Sequence, residues 1–230
     1  MKLSIIIPCF NEEKTIEKIV AKVAMFKTLE KEIIIIDDCS SDSSREIIEK
    51  ISQNNNEVQF IFQKVNQGKG SAIRKGFEKA SGDILLIQDA DLEYDPADYD
   101  KLIQPFLEAD ADVVYGSRFL GGKYVRLSFF WHFIANKLLT TLCNTFTNLN
   151  MTDMETGYKL FKSEAIKSID LKEKSFGIEP EITVKLAKKK YIFFEVPISY
   201  SGRSYDEGKK IGLKDAFRAI YCIIKYRYFD

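Results

Sequence analysis

Four consecutive apolar residues, Ile84-Leu85-Leu86-Ile87, run through Gln88 into two carboxylates separated by one alanine, Asp89-Ala90-Asp91. The run follows the turn pair Gly82-Asp83 and shows no polar alternation, which marks a strand buried on both faces. In an open sheet of such strands, ligands sit beyond the carboxyl ends, and that is where Asp89 and Asp91 fall. Two carboxylates this close repel each other unless a cation lies between them. Hard oxygen donors with room for phosphate oxygens suit Mg²⁺ or Mn²⁺. The other reading of Asp-Ala-Asp is a cap on the turn or helix that follows.

The same construction recurs along the first half. Leu3-Ser4-Ile5-Ile6-Ile7-Pro8 is a buried strand leading into Cys9-Phe10-Asn11-Glu12. Asn11 is predicted to cap a helix whose stripe is Ile16, Ile19, Val20 and Val23. A second strand, residues 33–36, ends in Asp37-Asp38; Ser40-Ser41-Asp42 then caps a helix with Ile47, Ile48 and Ile51 inward. Strands at 58–62 and 113–116 follow, with a helix from Asn66-Gln67-Gly68-Lys69-Gly70 between the third strand and the Asp89 strand, and another after Pro96. Strand and helix alternating at this pace predict an α/β fold. It is a Rossmann-like, mostly parallel sheet with helices on both faces.

Composition removes several function classes. Lysine plus arginine equals aspartate plus glutamate, so no basic field invites nucleic acid. Cys9, Cys39, Cys143 and Cys222 lack metal or redox spacing and read as reduced thiols. His132 is the single histidine, which argues against histidine metal sites and Ser-His-Asp chemistry. The chain opens directly on a strand pattern, without a signal peptide, and no apolar run reaches the ~18 residues of a membrane span. A cytoplasmic protein is expected.

After Arg118 the pattern changes. Gly121-Gly122 opens a loop, and residues 127–146 are two-sided. Leu127, Phe130, Trp131, Ile134, Leu138, Leu142 and Phe146 share one helical stripe; His132, Asn136, Thr140, Asn144 and Asn148 share another. Either the apolar stripe packs on the core or, with Lys123 and Arg126 beside it, it lies in a membrane interface. A strand at 158–161, a helix at 179–190 and an edge strand at 192–200 containing Pro197 follow. The final helix, 213–228, carries Leu213, Phe217, Ile220, Tyr221 and Ile224 on one side, with core packing expected and membrane contact as the alternative.

Three strand ends thus offer acidic or polar groups on one sheet edge, and Lys69, Arg118, Arg203, Lys209 and Lys210 are the basic groups to face them. The metal pair suits a diphosphate, and mobile cations suit the negative charge that departs. Gly68-Lys69-Gly70-Ser71-Ala72-Ile73 lacks the third glycine of a dinucleotide fingerprint and follows the wrong strand, so a nicotinamide enzyme fails on motif order. A nucleotide-sugar-binding domain without transfer activity would predict a damaged metal pair, whereas Asp89-Ala90-Asp91 is intact.

Taken in order, Ile5-Ile6-Ile7-Pro8-Cys9-Phe10-Asn11-Glu12, Ile36-Asp37-Asp38-Cys39-Ser40-Ser41-Asp42, Asn66-Gln67-Gly68-Lys69-Gly70 and Asp89-Ala90-Asp91 resemble the family-2 glycosyltransferases of the GT-A fold. Gly116-Ser117-Arg118, Asp153-Met154-Glu155-Thr156-Gly157-Tyr158-Lys159 and the stretch from Gly202-Arg203 to Lys209-Lys210 are similar to its polyprenyl-phosphate branch, which holds the dolichyl-phosphate mannose synthases. The resemblance spans 1–230 as one domain, with residues 1–118 as the nucleotide-sugar half and 119–230 as the acceptor half. It implies that Pro8, Phe10, Asn11, Glu12, Asp38, Lys69, Asp89, Ala90, Asp91 and Lys209 line the nucleotide site. Asp89, Asp91 and Glu93 would hold Mg²⁺ or Mn²⁺, with Glu93 standing where relatives often carry glutamine. Asp91, Asp153, Arg118 and Arg203 would serve catalysis, Asp153 and Glu155 being the candidate bases.

The implied reaction is an inverting, metal-dependent transfer from GDP-mannose or a UDP-hexose to a polyprenyl or dolichyl phosphate at the cytoplasmic face of a membrane. The alternative acceptor is a glycan hydroxyl in cell-surface polysaccharide synthesis. A phosphate monoester, with its second pKa near ~6, is already an anion at neutral pH, whereas a hydroxyl needs a carboxylate base.

Overall fold

The computed structural model describes residues 1–121, 126, 130–203 and 212–230, with only the backbone of Leu213. Gly122, Lys123, Leu127, Lys209 and Lys210, singled out from the sequence, lie outside the described residues. The element order is β1 (Lys2–Cys9), α1 (Ile16–Ala24), β2 (Glu30–Asp37), α2 (Ser44–Asn54), β3 (Val58–Phe62), α3 (Lys69–Lys79) and β4 (Ile84–Ile87). After a short 3₁₀ turn at Pro96–Asp98 come α4 (Tyr99–Glu108), β5 (Val113–Ser117), α5 (Phe130–Thr147), β6 (Lys159–Lys162), α6 (Ser163–Lys167), α7 (Ile178–Lys188), β7 (Phe193–Pro197) and α8 (Leu213–Tyr228).

One seven-stranded sheet has the order β3-β2-β1-β4-β6-β5-β7. All pairings are parallel except those of β6, which runs against both β4 and β5. The all-apolar strands supply both faces. Ile5, Ile7, Ile33, Ile35, Ile84 and Leu86 point into a core closed by α1 and α4. Their neighbours Ile6, Ile34, Ile36, Leu85 and Ile87 point into a second core closed by α3, α7 and α8. Each such isoleucine, fully removed from water, contributes about 1.5–3 kcal/mol, so the central strands are the most expensive place to lose a methyl group. The four cysteines are free thiols.

Two local expectations change. Asn11 does not cap α1, which begins at Ile16 after Thr15. Asn11 instead takes a left-handed φ of 54°, and its Oδ1 accepts the Ser41 N–H at 2.8 Å, tying the β1 and β2 turns together. In α2 the three predicted isoleucines do face the core, Ile48 fully buried and Ile47 and Ile51 packed at its margin. In α8 Phe217, Tyr221 and Ile224 of the predicted inward stripe face out, with Phe217 72% exposed and Ile220 half-buried, while Ala219, Cys222, Ile223 and Tyr226 are buried. The cause is Glu173, a buried carboxylate that accepts from Arg218 Nη2 at 2.8 Å and from the Tyr226 hydroxyl at 2.7 Å. Meeting that buried charge turns α8 about its axis, because an unpaired buried carboxylate costs more than exposing a few rings.

On α5 the polar stripe is the buried one, and the N-terminal part of the apolar stripe faces outward. Trp131 is 76% and Phe130 63% exposed, and Leu138 is exposed with them, whereas Asn136, Thr140 and Cys143 are buried. Leu142 and Phe146, near the C-terminal end, pack partly on the core. Among the described residues no helix is long and apolar enough to cross a membrane.

Candidate active site

The carboxyl ends of β1, β2 and β4 open on one edge, and the sheet order changes direction between β1 and β4, where α/β proteins bind ligands. The registers bring the rest of the site there. Lys159 lies opposite Ile87, and Ser117 opposite Pro197, so the segments before β6 and after β5 and β7 converge on the same edge.

Asp89 and Asp91 flank Ala90, whose methyl group is buried in the core and anchors the pair. Asp89 Oδ1 lies 2.9 Å from Lys69 Nζ, which is also 3.3 Å from Glu179 Oε1. Burial works against the Lys69 ammonium, but Asp89 and then Glu179 raise it above the ordinary lysine value. Lys69 opens α3 after Gly68, whose φ is +92° and whose added Cβ would lie 2.3 Å from the Lys174 carbonyl oxygen, so only glycine fits. Asp91 Oδ2 accepts from Arg203 Nη2 at 2.7 Å, and the same guanidinium reaches Glu12 Oε1 at 3.2 Å. Burial, then Asp89, then Glu93 push the Asp91 carboxyl up to about 7.

Glu93 does not join the other two carboxylates. Its Oε2 accepts the Tyr200 hydroxyl at 2.9 Å and its Oε1 the Arg203 N–H at 2.7 Å, so it is committed to holding the segment after β7. Among the described residues no three His, Cys, Asp or Glu side chains converge as a metal site. Asp89 and Asp91 alone still fit Mg²⁺ or Mn²⁺, because such an ion is usually held by one or two carboxylates, with waters and substrate phosphates completing it. The crowding that raises Asp91 is the charge a cation would relieve.

Arg118 and Asp153 form a second, fixed pair. Arg118 Nε donates to Asp153 Oδ2 at 2.6 Å and Nη2 to Oδ1 at 2.7 Å, and the guanidinium lies 5.0 Å from the Tyr200 ring centre. Burial opposes the Asp153 carboxylate, but the Arg118 charge, followed by hydrogen bonds from Arg118 and Asn136, holds its pKa below the usual range. Both oxygens are occupied, so Asp153 is a poor proton acceptor. Glu155 differs: its buried Oε1 meets no hydrogen-bond partner among the described residues. Burial, then Glu179, pushes it up to about 8.

On the nucleotide side, Asp38 is only 3% exposed and its oxygens hold the turn into α3. It accepts Gln63 Nε2, the Gln67 N–H and the Gly68 N–H, each at 2.7 Å. Phe10 is exposed at the rim, and Pro8 lies half-buried at the end of β1. Sequence reasoning missed Glu179, the second partner of Lys69, and Glu195, which accepts the N–H groups of Thr152 at 2.9 Å and Asp153 at 3.1 Å. A carboxylate opening a helix, or one on an edge strand, carries no sequence signal that separates it from a solvated charge.

Residues 4–170 match the model of the family described as glycosyl transferase family 2. The dolichol-phosphate mannosyltransferase of Pyrococcus furiosus is 29% identical over 231 residues, covering 98% of this chain. This chain spans 64% of that relative's length. The undecaprenyl-phosphate mannosyltransferase of Micrococcus luteus is 26% identical over 223 residues, 92% of this chain and 88% of that one. Among solved structures, glucosyl-3-phosphoglycerate synthase from Mycobacterium tuberculosis, in complex with Mn²⁺, UDP and phosphoglyceric acid, superposes with a TM-score of 0.76 at 18% identity. That superposition covers 100% of this chain and 79% of the synthase, and it shows the shared GT-A fold. With residues 4–170 matched by the family model, the chain belongs to glycosyltransferase family 2.

Proposed function

We propose that this protein moves a sugar from a nucleotide sugar, GDP-mannose or a UDP-hexose, to a polyprenyl phosphate, inverting the anomeric carbon with the help of a divalent metal. One observation carries the reading: a carboxylate pair, Asp89 and Asp91, shares its sheet edge with two guanidinium groups, Arg203 and Arg118. Carboxylates with a metal suit a donor diphosphate, and the guanidiniums suit phosphate oxygens. The polyprenyl-phosphate transferases among its relatives support the acceptor class.

Asp89 and Asp91 would hold the Mg²⁺ or Mn²⁺, which when bound neutralises charge on the diphosphate. Arg203, leaving Asp91, pairs with the charge that grows on the departing nucleoside diphosphate. Phe10, Asn11 and Glu12 border the nucleotide; residues 1–118 supply most of the donor site and 119–230 most of the acceptor site, with Arg203 and Arg118 each reaching across that division. The acceptor phosphate attacks as an anion, since its second pKa near ~6 leaves it ionised at neutral pH. The depressed pKa and occupied oxygens of Asp153 support that acceptor, because no base is needed. The outward apolar faces of α5 and α8 support peripheral contact with a membrane, at its cytoplasmic face, where a lipid-linked acceptor resides.

The second reading, a glycan hydroxyl as acceptor, is favoured by Glu155, whose raised pKa suits a general base. Radiolabelled GDP-mannose and UDP-glucose, each incubated with vesicles containing polyprenyl phosphate, with and without Mn²⁺, decide between them. Mn²⁺-dependent label in the organic phase is expected. Label that stays in water, as free sugar or on a glycan acceptor, would sink the lipid reading.

A further inference from the structure

The polar stripe of α5 is turned inward onto the segment that carries Asp153, and its contacts form a closed circuit. Asn136 is buried, and its Nδ2 donates to Asp153 Oδ1 at 2.8 Å. Thr140, one turn on, donates from Oγ1 to Asn136 Oδ1 at 3.0 Å and accepts the Met154 N–H at 3.1 Å. A carboxylate only accepts, so Asn136 must turn its amino group toward Asp153. Thr140 supports that orientation: its hydroxyl accepts the Met154 N–H on one lone pair and gives its proton to the Asn136 carbonyl. Lower on the helix, Asn144 brackets Met151 with two bonds, from Nδ2 to the Met151 carbonyl at 2.8 Å and to Oδ1 from its N–H at 3.1 Å. The same segment is gripped from the opposite side by Glu195 of β7 through the Thr152 and Asp153 N–H groups.

We propose that Asn136 is a positioning residue. With Thr140 it fixes the Asp153 carboxylate that aims the Arg118 guanidinium at the acceptor phosphate. The role rests on the polyprenyl-phosphate reading given above. Arg118 carries five N–H donors, and Asp153 takes two of them through the side chain among the described residues, so an incoming anion would be met by the remaining ones. A guanidinium presents that fork usefully only if its plane is held, and the plane is set by the bidentate pair with Asp153. Asp153 itself would turn about χ2 with Arg118 as its only side-chain partner. The Asn136 bond to Oδ1 removes that freedom, and it does so from a helix whose outward face is apolar. One helix therefore serves the two ends of a lipid phosphate, the chain outside and the phosphate-binding cation inside.

The test is steady-state kinetics of purified Asn136→Ala, Thr140→Val and Thr140→Ser, with polyprenyl phosphate in detergent and nucleotide sugar varied in turn. Losing a hydrogen bond to a charged group should raise the polyprenyl-phosphate KM of Asn136→Ala about tenfold, with the nucleotide-sugar KM unchanged within about twofold. Thr140→Val, similar in volume but without the orienting hydroxyl, should move the same constant in the same direction. Thr140→Ser should restore wild-type behaviour. This pair keeps the test alive if Asn136→Ala does not fold. An acceptor KM that stays put in Thr140→Val, or two KM values that rise together with a fall in Tm, overturns the positioning role and leaves α5 a structural helix. A wild type that never transfers to polyprenyl phosphate overturns the acceptor reading and the role of Asn136 with it. A wild type that transfers beside unaffected variants overturns only the latter.

Discussion

Arg203 Nη2 lies 2.7 Å from Asp91 Oδ2, so the carboxylate best placed to hold a metal already carries an internal cation. The same guanidinium spans to Glu12 Oε1 at 3.2 Å and lies 3.5 Å from Glu93 Oε1, while its backbone N–H is held by Glu93 at 2.7 Å. Three carboxylates around one arginine form a resting site whose negative charge the guanidinium offsets only in part. In the proposed reaction Asp91 would leave Arg203 to hold a divalent metal, and the freed guanidinium would turn to phosphate oxygens.

Removing the internal cation should therefore help the metal and harm the reaction. Arg203→Gln is expected to bind Mn²⁺ more tightly in the absence of nucleotide, by about tenfold if one close charge of order 1.4 kcal/mol is relieved. Its turnover should fall by about a hundredfold or more, the loss typical of a group that stabilises developing charge. Asp91→Ala should lose both Mn²⁺-dependent nucleotide binding and turnover. Titration of Mn²⁺ by electron paramagnetic resonance, beside an activity assay, reads both. Weaker Mn²⁺ binding in Arg203→Gln would show that Arg203 supports the metal instead of competing with it.

Gly157 is expected to be irreplaceable for activity and not for folding. A Cβ added there would lie 2.5 Å from Asp89 Oδ2 and 2.7 Å from the Tyr94 ring. The Asp89 carboxylate is the softer of the two neighbours, but it is pinned by Lys69 at 2.9 Å. Gly157→Ala should displace it and cut turnover by about tenfold or more, since an ångström of misplacement is that costly. The cost in stability should stay within the ~1–3 kcal/mol typical of overpacking. Chemical denaturation and kinetics on the same variant separate the two effects.

The sheet was legible because its strands are apolar on both faces, and runs such as residues 33–36 and 84–87 fit little else in a chain of this length. The carboxylates at their ends were legible for the same reason: a strand end fixes where Asp89 and Asp91 point. Helix faces were harder. Periodicity finds two stripes on α5 and α8 but not which is inward, and in both the buried stripe was chosen by a polar partner distant in sequence. Asp153 draws in Asn136, and Glu173 draws in Arg218 and Tyr226. The partners of Glu93 were hidden on the same account, because Tyr200 and Arg203 are over a hundred residues away.

The Glu155 carboxyl gives the folded chain a measurable dependence on pH. Burial, then Glu179, pushes it from the ordinary 4.5 up to about 8. Between those values the folded state holds a proton that the unfolded chain releases, so stability falls as pH rises from about 4.5 toward 8 and is flat above. Glu155→Gln removes that burden, and its Tm relative to wild type should climb between pH 5 and pH 8 by several degrees, or about 1 kcal/mol or more. With polyprenyl phosphate as acceptor its turnover should stay within about tenfold of wild type, whereas loss of a general base would cost about 10²–10⁴-fold. A constant Tm difference across that pH window would mean that Glu155 is ionised throughout.

The outward face of α5 makes the membrane prediction directly measurable. Trp131, the one tryptophan, is 76% exposed, and Phe130 packs against it with ring centres 5.3 Å apart. On α8, which packs beside α5, Phe217 and Tyr221 are also turned out, and Arg218 and Lys225 lie over the Tyr221 ring at 4.9 Å and 5.6 Å. Rings with cations at their edges suit the boundary between acyl chains and headgroups, where the apolar body and the charge are each satisfied. Titration with anionic vesicles should shift Trp131 emission to the blue and carry the protein into the pellet. Salt should weaken the charge component of that binding and leave the apolar component in place. Phe130→Ala with Phe217→Ala should reduce sedimentation by about tenfold or more, since each buried ring is worth roughly 1.5–3 kcal/mol at most. Transfer to a short-chain, water-soluble polyprenyl phosphate should be little changed, because neither ring contributes a polar group to the site. An unshifted spectrum and a clear pellet would mean that these faces meet something other than lipid, and would move the acceptor toward a water-soluble glycan.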